Sequence, residues 1–328
     1  MAAPTVKAIR IHETGGPEKL RLEDLEVGAP GPGEALVRHA AAGVNYVDVY
    51  HRSGLYPVPL PAVLGMEAAG TVEAVGPGVT AVKAGDRVAY LAATPGSYAG
   101  ARRVPADRLL ALPAGLDEVT AAATLLKGLT VRALVKRAYA VRPGDPVLVH
   151  AAAGGVGLLA VQWLKALGAT VIGTAGTDEK AALARAHGCD HVIVYSREDF
   201  VARAKELTGG KGVAAVYDAV GKATFEKSLD CLRPLGTMVT FGNASGPVPP
   251  VDVLALSRRG SLTLVRPSVF HYVASRADLE AAAADLFDVL RSGKVKAGAV
   301  RRLPLAQAAE AHRALEARET TGSLVLVP

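Results

Sequence analysis

The sequence predicts an α/β protein in which a doubly wound parallel sheet accompanies a β-rich domain. Three observations predict it. The run Pro146–His150 enters a glycine-rich turn, Ala151–Gly157, and continues through an apolar stretch of helical length to Gly168, which reads as strand, tight turn, helix. Strand-like and helical stretches then alternate along the following residues. Ahead of this segment, residues 1 to about 115 carry short β-branched runs broken by Gly and Pro turns.

Taken in order, Val6–Ile11 reads as a strand, Gly15-Gly16-Pro17 as a turn, and Leu20–Leu25 as a second extended piece. Pro30 to Glu34 turns the chain into Ala35–Arg38, whose alternation fits a half-buried strand. Between Ala42 and Gly54, the residues Asn45, Asp48, Tyr50 and Arg52 crowd polar and aromatic groups together, which is unusual in so alanine-rich a chain. They fit either a short surface helix capped by Asn45 or a functional lining. The glycines from Gly65 to Val79, and the run Val82–Tyr90, indicate bulged β structure with sharp corners. Two further strands are expected at Gly96–Val104 and Leu109–Leu112.

From Asp117 the pattern turns helical, at Glu118–Lys127 and Leu129–Tyr139. Six strands follow, at Pro146–His150, Ala169–Gly173, Val192–Tyr195, Val213–Asp218, Thr237–Phe241 and Ser261–Val265. Helices are expected at Glu179–His187, Asp199–Leu207 and Phe225–Leu232. This alternation requires a parallel sheet wound on both faces. After Pro267 come helices at Ala277–Arg291 and Leu305–Glu316. A last strand, Ser323–Val327, is expected to return to the first domain.

With 328 residues the chain suits two domains, and 50% apolar against 21% charged residues excludes a disordered one. The formal charge of +6 is scattered, with no basic run longer than two residues, so nucleic acid is not an expected partner. Cys189 and Cys231 are the only cysteines, too few for a disulfide framework or a thiolate zinc site, and a reducing cytoplasm fits. The N-terminal Met-Ala-Ala-Pro-Thr-Val-Lys lacks the pattern of a secretion signal.

The glycine turn carries the chemistry. Gly154, Gly155 and Gly157 let the backbone approach a ligand closely, and the helix that follows offers unpaired N–H groups to a phosphate. The pattern is a loose dinucleotide fingerprint, with Ala152 in place of the first glycine, and the implied ligand is a pyrophosphate. A membrane span over residues 146 to 164 and a merely structural turn compete with this reading. The glycine cluster would break the span, and the second strand completes the βαβ unit that a dinucleotide site requires.

The Gly65-x-Glu-Ala-Ala-Gly-x-Val block, Gly85-Asp-Arg-Val88, Lys127-Gly-Leu-Thr130, His150-Ala-Ala-Ala-Gly-Gly-Val-Gly157, Val216-Tyr-Asp218 and Phe241-Gly-Asn243 together resemble the zinc-free quinone oxidoreductases, zeta-crystallin among them, of the medium-chain dehydrogenase/reductase superfamily. The resemblance spans essentially the whole chain. It implies a Rossmann domain at 123–266 and a partly open, barrel-like catalytic domain from 1–122 and 267–328, with NADPH in the cleft between them. It also implies a homodimer paired through the edge strand Ser261–Val265. Where zinc-dependent relatives place a cysteine and a histidine, this chain has Asn45 and Met66, so no metal is expected.

On this resemblance Asn45, Tyr50 and Tyr56 line the acceptor site, oriented by Asp48 and Arg52. The cofactor contacts it implies are Asn45, Lys127, Thr130, Ala153, Gly154, Gly155, Val156, Gly157, Gly176, Thr177, Lys180, Tyr195, Ala219, Phe241, Gly242, Asn243, Arg266, Pro267, Ser268 and Arg318. NADPH is expected over NADH because Ala175 stands where an NAD site carries an acid, and Asp178 is expected instead to cap the next helix. The expected activity is metal-independent reduction of quinones by NADPH. A 2-alkenal or enoyl reductase, and a cofactor-binding structural or RNA-binding role, are the alternatives.

Overall fold

The computed structural model describes residues 5–328; residues 1–4, part of the N-terminal stretch read for a secretion signal, lie outside the described residues. The chain divides into two compact units. One runs to Leu126 and takes in Val273–Phe287 and Ala299–Pro328; the other comprises Lys127–Tyr272 and Asp288–Gly298.

The first unit begins with β1 (Thr5–Ile11), β2 (Arg21–Glu26), β3 (Glu34–Val44), α1 (Tyr46–Ser53) and β4 (Ala62–Val63). It continues with β5 (Glu67–Val75), β6 (Arg87–Leu91), β7 (Ala101–Pro105) and β8 (Leu109–Ala111). Helix α2 (Glu118–Ala133) follows and widens into a π-helical turn at Leu134–Ala138, so the two helices expected here are one. The strand expected from Gly96 starts only at Ala101. Gly96 and Ser97 instead donate to the Gly65 carbonyl and Tyr98 to that of Leu64, folding the segment back on the chain. Gly65, at φ 91°, permits this, because a Cβ there would collide with the Tyr98 ring.

The second unit holds β9 (Pro146–Val149), α3 (Gly155–Ala166), β10 (Thr170–Ala175), α4 (Asp178–Ala186), β11 (His191–Val194), α5 (Phe200–Leu207), β12 (Val213–Asp218), α6 (Phe225–Asp230) and β13 (Leu232–Thr240). It closes with α7 (Val253–Arg258), β14 (Thr263–Val265) and α8 (Val269–Tyr272). The strand order is β11-β10-β9-β12-β13-β14, parallel throughout, and reverses direction between β9 and β12. This is the doubly wound order whose switch point receives dinucleotides. Every residue of β12 is buried, as a strand covered on both faces must be. Leu148, Ile172, Val216, Phe225 and Met238 form the core on one side of the sheet.

The chain then adds α9 (Arg276–Arg291), β15 (Val300–Pro304), α10 (Ala308–Glu316) and β16 (Ser323–Val327). As expected, β16 returns to the first unit, pairing antiparallel with β3 from Leu324 opposite Val44. The sheet runs β15-β16-β3-β5-β6-β8, with β7 also on β3, and its two ends are unjoined among the described residues. Strand β3 spans this sheet with a bulge at Ala40, between Glu34–Arg38 on β7 and Ala42–Val44 on β16. Its C-terminal end delivers Asn45.

Candidate active site

The cofactor candidates of the second unit converge on one end of its sheet. Ala153–Gly157 follow β9, Gly176, Thr177 and Lys180 follow β10, and Tyr195 follows β11. Ala219 follows β12, Phe241–Asn243 follow β13, and Arg266–Ser268 follow β14. All lie at carboxyl ends of parallel strands, where open α/β sheets bind ligands. Lys127 and Thr130 stand one turn apart on α2.

The turn after β9 is tight for a reason. Ala151 adopts φ 53°, Gly154 closes onto the Ala151 carbonyl at 2.9 Å, and a Cβ on Gly157 would strike that same carbonyl. Leu158 is the first residue of α3 whose N–H closes onto the helix, through Gly154 O at 2.9 Å. The N–H groups ahead of it point out of the helix start with no acidic side chain in the first turn, a setting for a pyrophosphate. Gly242 packs so close to Ala219 that only glycine fits. Beside it, Arg266 donates to Gly242 O at 3.1 Å and Thr240 Oγ1 at 3.3 Å. With its amide assigned from its neighbours, Asn243 accepts from Arg266 at 3.0 Å.

At the end of β10 stands Ala175, buried and paired with Val194, with Gly176 after it. The Tyr195 hydroxyl reaches across to Gly176, lying 2.8 Å from where a Cβ would be. Helix α4 is capped by Thr177, whose Oγ1 accepts from Lys180 N at 3.3 Å. The expected cap, Asp178, is instead the first helical residue. A threonine one residue earlier already takes the capping geometry, and the Asp178 carboxylate turns to Arg197 at 2.6 and 2.8 Å.

In the first unit, Asn45 stands at the N-terminus of α1. Its N–H donates to Asp48 Oδ2 at 2.8 Å, and its Nδ2 to Glu67 Oε1 at 2.8 Å. The carboxamide is thereby fixed, its oxygen completing a capping box with the Asp48 backbone N–H and its second N–H remaining as hydrogen-bonding capacity. Helix α1 is not the surface helix of the simpler reading, since Asp48 through Arg52 are all buried. Tyr50 and Tyr56 meet edge to face at 5.1 Å, and Tyr46 packs on Tyr50 at 6.0 Å.

Asp48 and Arg52 enter a network that anchors the helix. Tyr98 donates to Asp48 at 2.9 Å and lies 3.2 Å from His312 Nε2. Arg52 donates to both oxygens of Glu316 at 2.8 Å, to Gly15 O at 3.0 Å, and to His312 Nδ1 at 3.4 Å. These donors make His312 the neutral Nε2–H tautomer. Burial, and next the Arg52 charge, push its pKa down to about 3. Arg318, at φ 59°, follows the end of α10.

Comparison with known proteins then decides the family. Residues 31–114 match the alcohol dehydrogenase GroES-like domain, and residues 155–288 the zinc-binding dehydrogenase domain. A quinone oxidoreductase of Pseudomonas aeruginosa is 49% identical over 98% of this chain and 99% of its own. A 2-haloacrylate reductase of Burkholderia is 46% identical over 98% and 99%. The solved structure of Escherichia coli quinone oxidoreductase complexed with NADPH superposes with a TM-score of 0.96 at 47% identity, covering 98% of this chain and all of that one. The chain belongs to the quinone oxidoreductases of the medium-chain dehydrogenase/reductase superfamily.

The name of the zinc-binding dehydrogenase domain raises the question of a metal, and the side chains of Asn45, Met66 and Glu67 do not fit one. Asn45 presents an amide, Met66 is a buried thioether, and the Glu67 carboxylate is engaged by Asn45 and by Leu126 N at 2.6 Å. Among the described residues no group of three or more His, Cys, Asp or Glu side chains could hold a metal ion. A dinucleotide does fit, through the chain's N–H groups, glycines, Lys180 and Tyr195.

Sequence reasoning passed over Glu67, which the structure bonds to Asn45. It is fully buried, and Gly43 is glycine because a Cβ would strike its Oε1. The signal was present, since Glu67 lies in the Gly65-x-Glu block, but its two partners lie 22 and 59 residues away. His312 was passed over too, 260 residues from Arg52.

Proposed function

We propose that the protein reduces quinones with NADPH, without a metal. Residues 1–122 and 267–328 serve as the catalytic domain and 123–266 as the dinucleotide-binding domain. The observation that carries this reading is the end of β10: Ala175 in place of an acid, Gly176 beneath the Tyr195 hydroxyl, and Lys180 in the first turn of α4. A lysine ammonium and a phenol suit a 2′-phosphate, which a carboxylate would repel. The full-length similarity to quinone oxidoreductases, one of them solved with NADPH, supports it.

When bound, NADPH supplies a hydride equivalent. The chain contributes the binding of the pyrophosphate at the α3 N-terminus and of the 2′-phosphate at Lys180 and Tyr195. It also places hydrogen-bond donors where charge develops on the acceptor oxygen. Asn45 is that donor, its amide fixed by Glu67, and Tyr50 and Tyr56 line the acceptor site. Without a Lewis acid in the donor set, the acceptor must already be electron-poor. The Burkholderia relative gives one specific reason for a second reading, reduction of an activated alkene such as a 2-haloacrylate.

Measuring dissociation constants for both cofactors tests the cofactor assignment. Lys180→Ala should weaken NADPH by ~1.5–3 kcal/mol, the loss of a charge-assisted hydrogen bond, and NADH far less. Equal losses, or a wild type that prefers NADH, would remove the assignment.

The protein is also proposed to act as a cytoplasmic homodimer. Strand β14 is an open sheet edge of the kind a partner strand covers, and Cys189 and Cys231 are buried free thiols, each pushed up to about 12 chiefly by burial. Among the described residues no helix is long and apolar enough to cross a membrane. Sedimentation of dilute protein should give twice the 33.7 kDa of one chain; a species of 33.7 kDa alone would contradict pairing.

A further inference from the structure

We infer that Arg197 is a specificity-determining residue, which masks the Asp178 carboxylate and so keeps the end of β10 open to a 2′-phosphate. The inference rests on the NADPH reading above and explains how that reading survives an acid in the wrong place.

Strands β10 and β11 run side by side to their carboxyl ends, with Ala175 opposite Val194. Tyr195 continues this pairing, its N–H donating to Ala175 O at 3.1 Å, while its hydroxyl reaches Gly176. Two residues further on, Arg197 turns back, its N–H donating to Val194 O at 3.1 Å. Its guanidinium then meets Asp178 in a two-pronged pair, Nη2 to Oδ1 at 2.6 Å and Nη1 to Oδ2 at 2.8 Å. Asp178 is two residues past Gly176 and two before Lys180, between the residues proposed to receive the phosphate.

An unpaired carboxylate at this place would oppose a dianionic phosphate and favour the 2′-hydroxyl of NADH. A bidentate guanidinium cancels that charge and turns both oxygens toward itself, which makes the carboxylate a weaker acceptor for a ribose hydroxyl. The Arg197 contact is the largest cause of the lowered Asp178 pKa, so the carboxylate is charged and needs this cancellation throughout the working pH range. The pair is well exposed and would add little to stability. Its position is better explained by what it does to an incoming charge.

The test measures dissociation constants of NADPH and NADH, by cofactor fluorescence, for wild type, Arg197→Met, Asp178→Asn and the double variant. Arg197→Met should weaken NADPH roughly five- to tenfold, as one uncovered charge near the phosphate predicts, and leave NADH binding unchanged or tighter. That penalty should shrink as salt is raised. The double variant should regain NADPH binding to within about twofold of wild type, because no carboxylate is left to mask. A double variant as weak as Arg197→Met would overturn the inference, since Arg197 would then be gripping the phosphate itself, and so would unchanged NADPH binding in Arg197→Met. A wild type that prefers NADH would instead overturn the cofactor reading, and the inference with it.

Discussion

One buried carboxylate, Glu67, fixes the orientation of the Asn45 side chain. Glu67 accepts from the Asn45 amide and from the backbone of α2, so the amide cannot rotate freely. On the reading proposed here, Asn45→Ala and Tyr50→Phe lower kcat on the order of 10²-fold, as loss of an oxyanion donor does, with NADPH affinity nearly unchanged. Glu67→Gln sets an NH2 group against the Asn45 or the Leu126 N–H, so it should also lower kcat and cost ~1–3 kcal/mol of stability in denaturant titrations. Wild-type kcat in Asn45→Ala and Tyr50→Phe would return both residues to a packing role. The residues that sequence reasoning singled out share one property: their chemistry is visible locally, as with Lys180 two residues after Asp178. Arg197 and Glu67 act through partners distant in sequence, so their roles appear only when the strands are laid side by side.

At the scale of elements, α1 is held from behind by α10. Tyr98, His312, Arg52 and Glu316 form a continuous hydrogen-bonded chain in which His312 must stay neutral to accept from Arg52 and donate to Tyr98. An unfolded histidine takes up a proton near 6.5, the folded one only near 3, so in this window the unfolded chain binds more protons. Stability therefore falls as pH falls from 6.5 toward 3, by up to ~1.4 kcal/mol per unit for this group. His312→Phe lacks the effect, so its deficit relative to wild type should narrow between pH 6.5 and 4; a constant deficit would contradict the burial argument. Elements built on apolar periodicity and glycine turns, such as β9, α3 and β12, were legible because their burial pattern is written in consecutive residues. Strand β15 was not, since Arg301 and Arg302 project outward from a strand that pairs only with β16. The short β14 begins two residues late because Ser261 takes φ 56°, which no strand tolerates.

For the whole molecule, the chain joins a doubly wound parallel sheet to a second, largely antiparallel sheet. The order of glycine turn, alternating strands and returning β16 made the fold class readable from the sequence, because topology follows strand and helix order. The acceptor was less readable, since similar scaffolds accept quinones and haloacrylates. The most direct test follows cofactor oxidation with 1,4-naphthoquinone, a 2-enal and 2-chloroacrylate under one set of conditions, with NADPH and then with NADH. The account predicts the highest kcat/KM for naphthoquinone with NADPH, in protein free of bound metal. No NADPH-dependent reduction of any quinone, or a higher kcat/KM for the chloroacrylate or the enal, would contradict it.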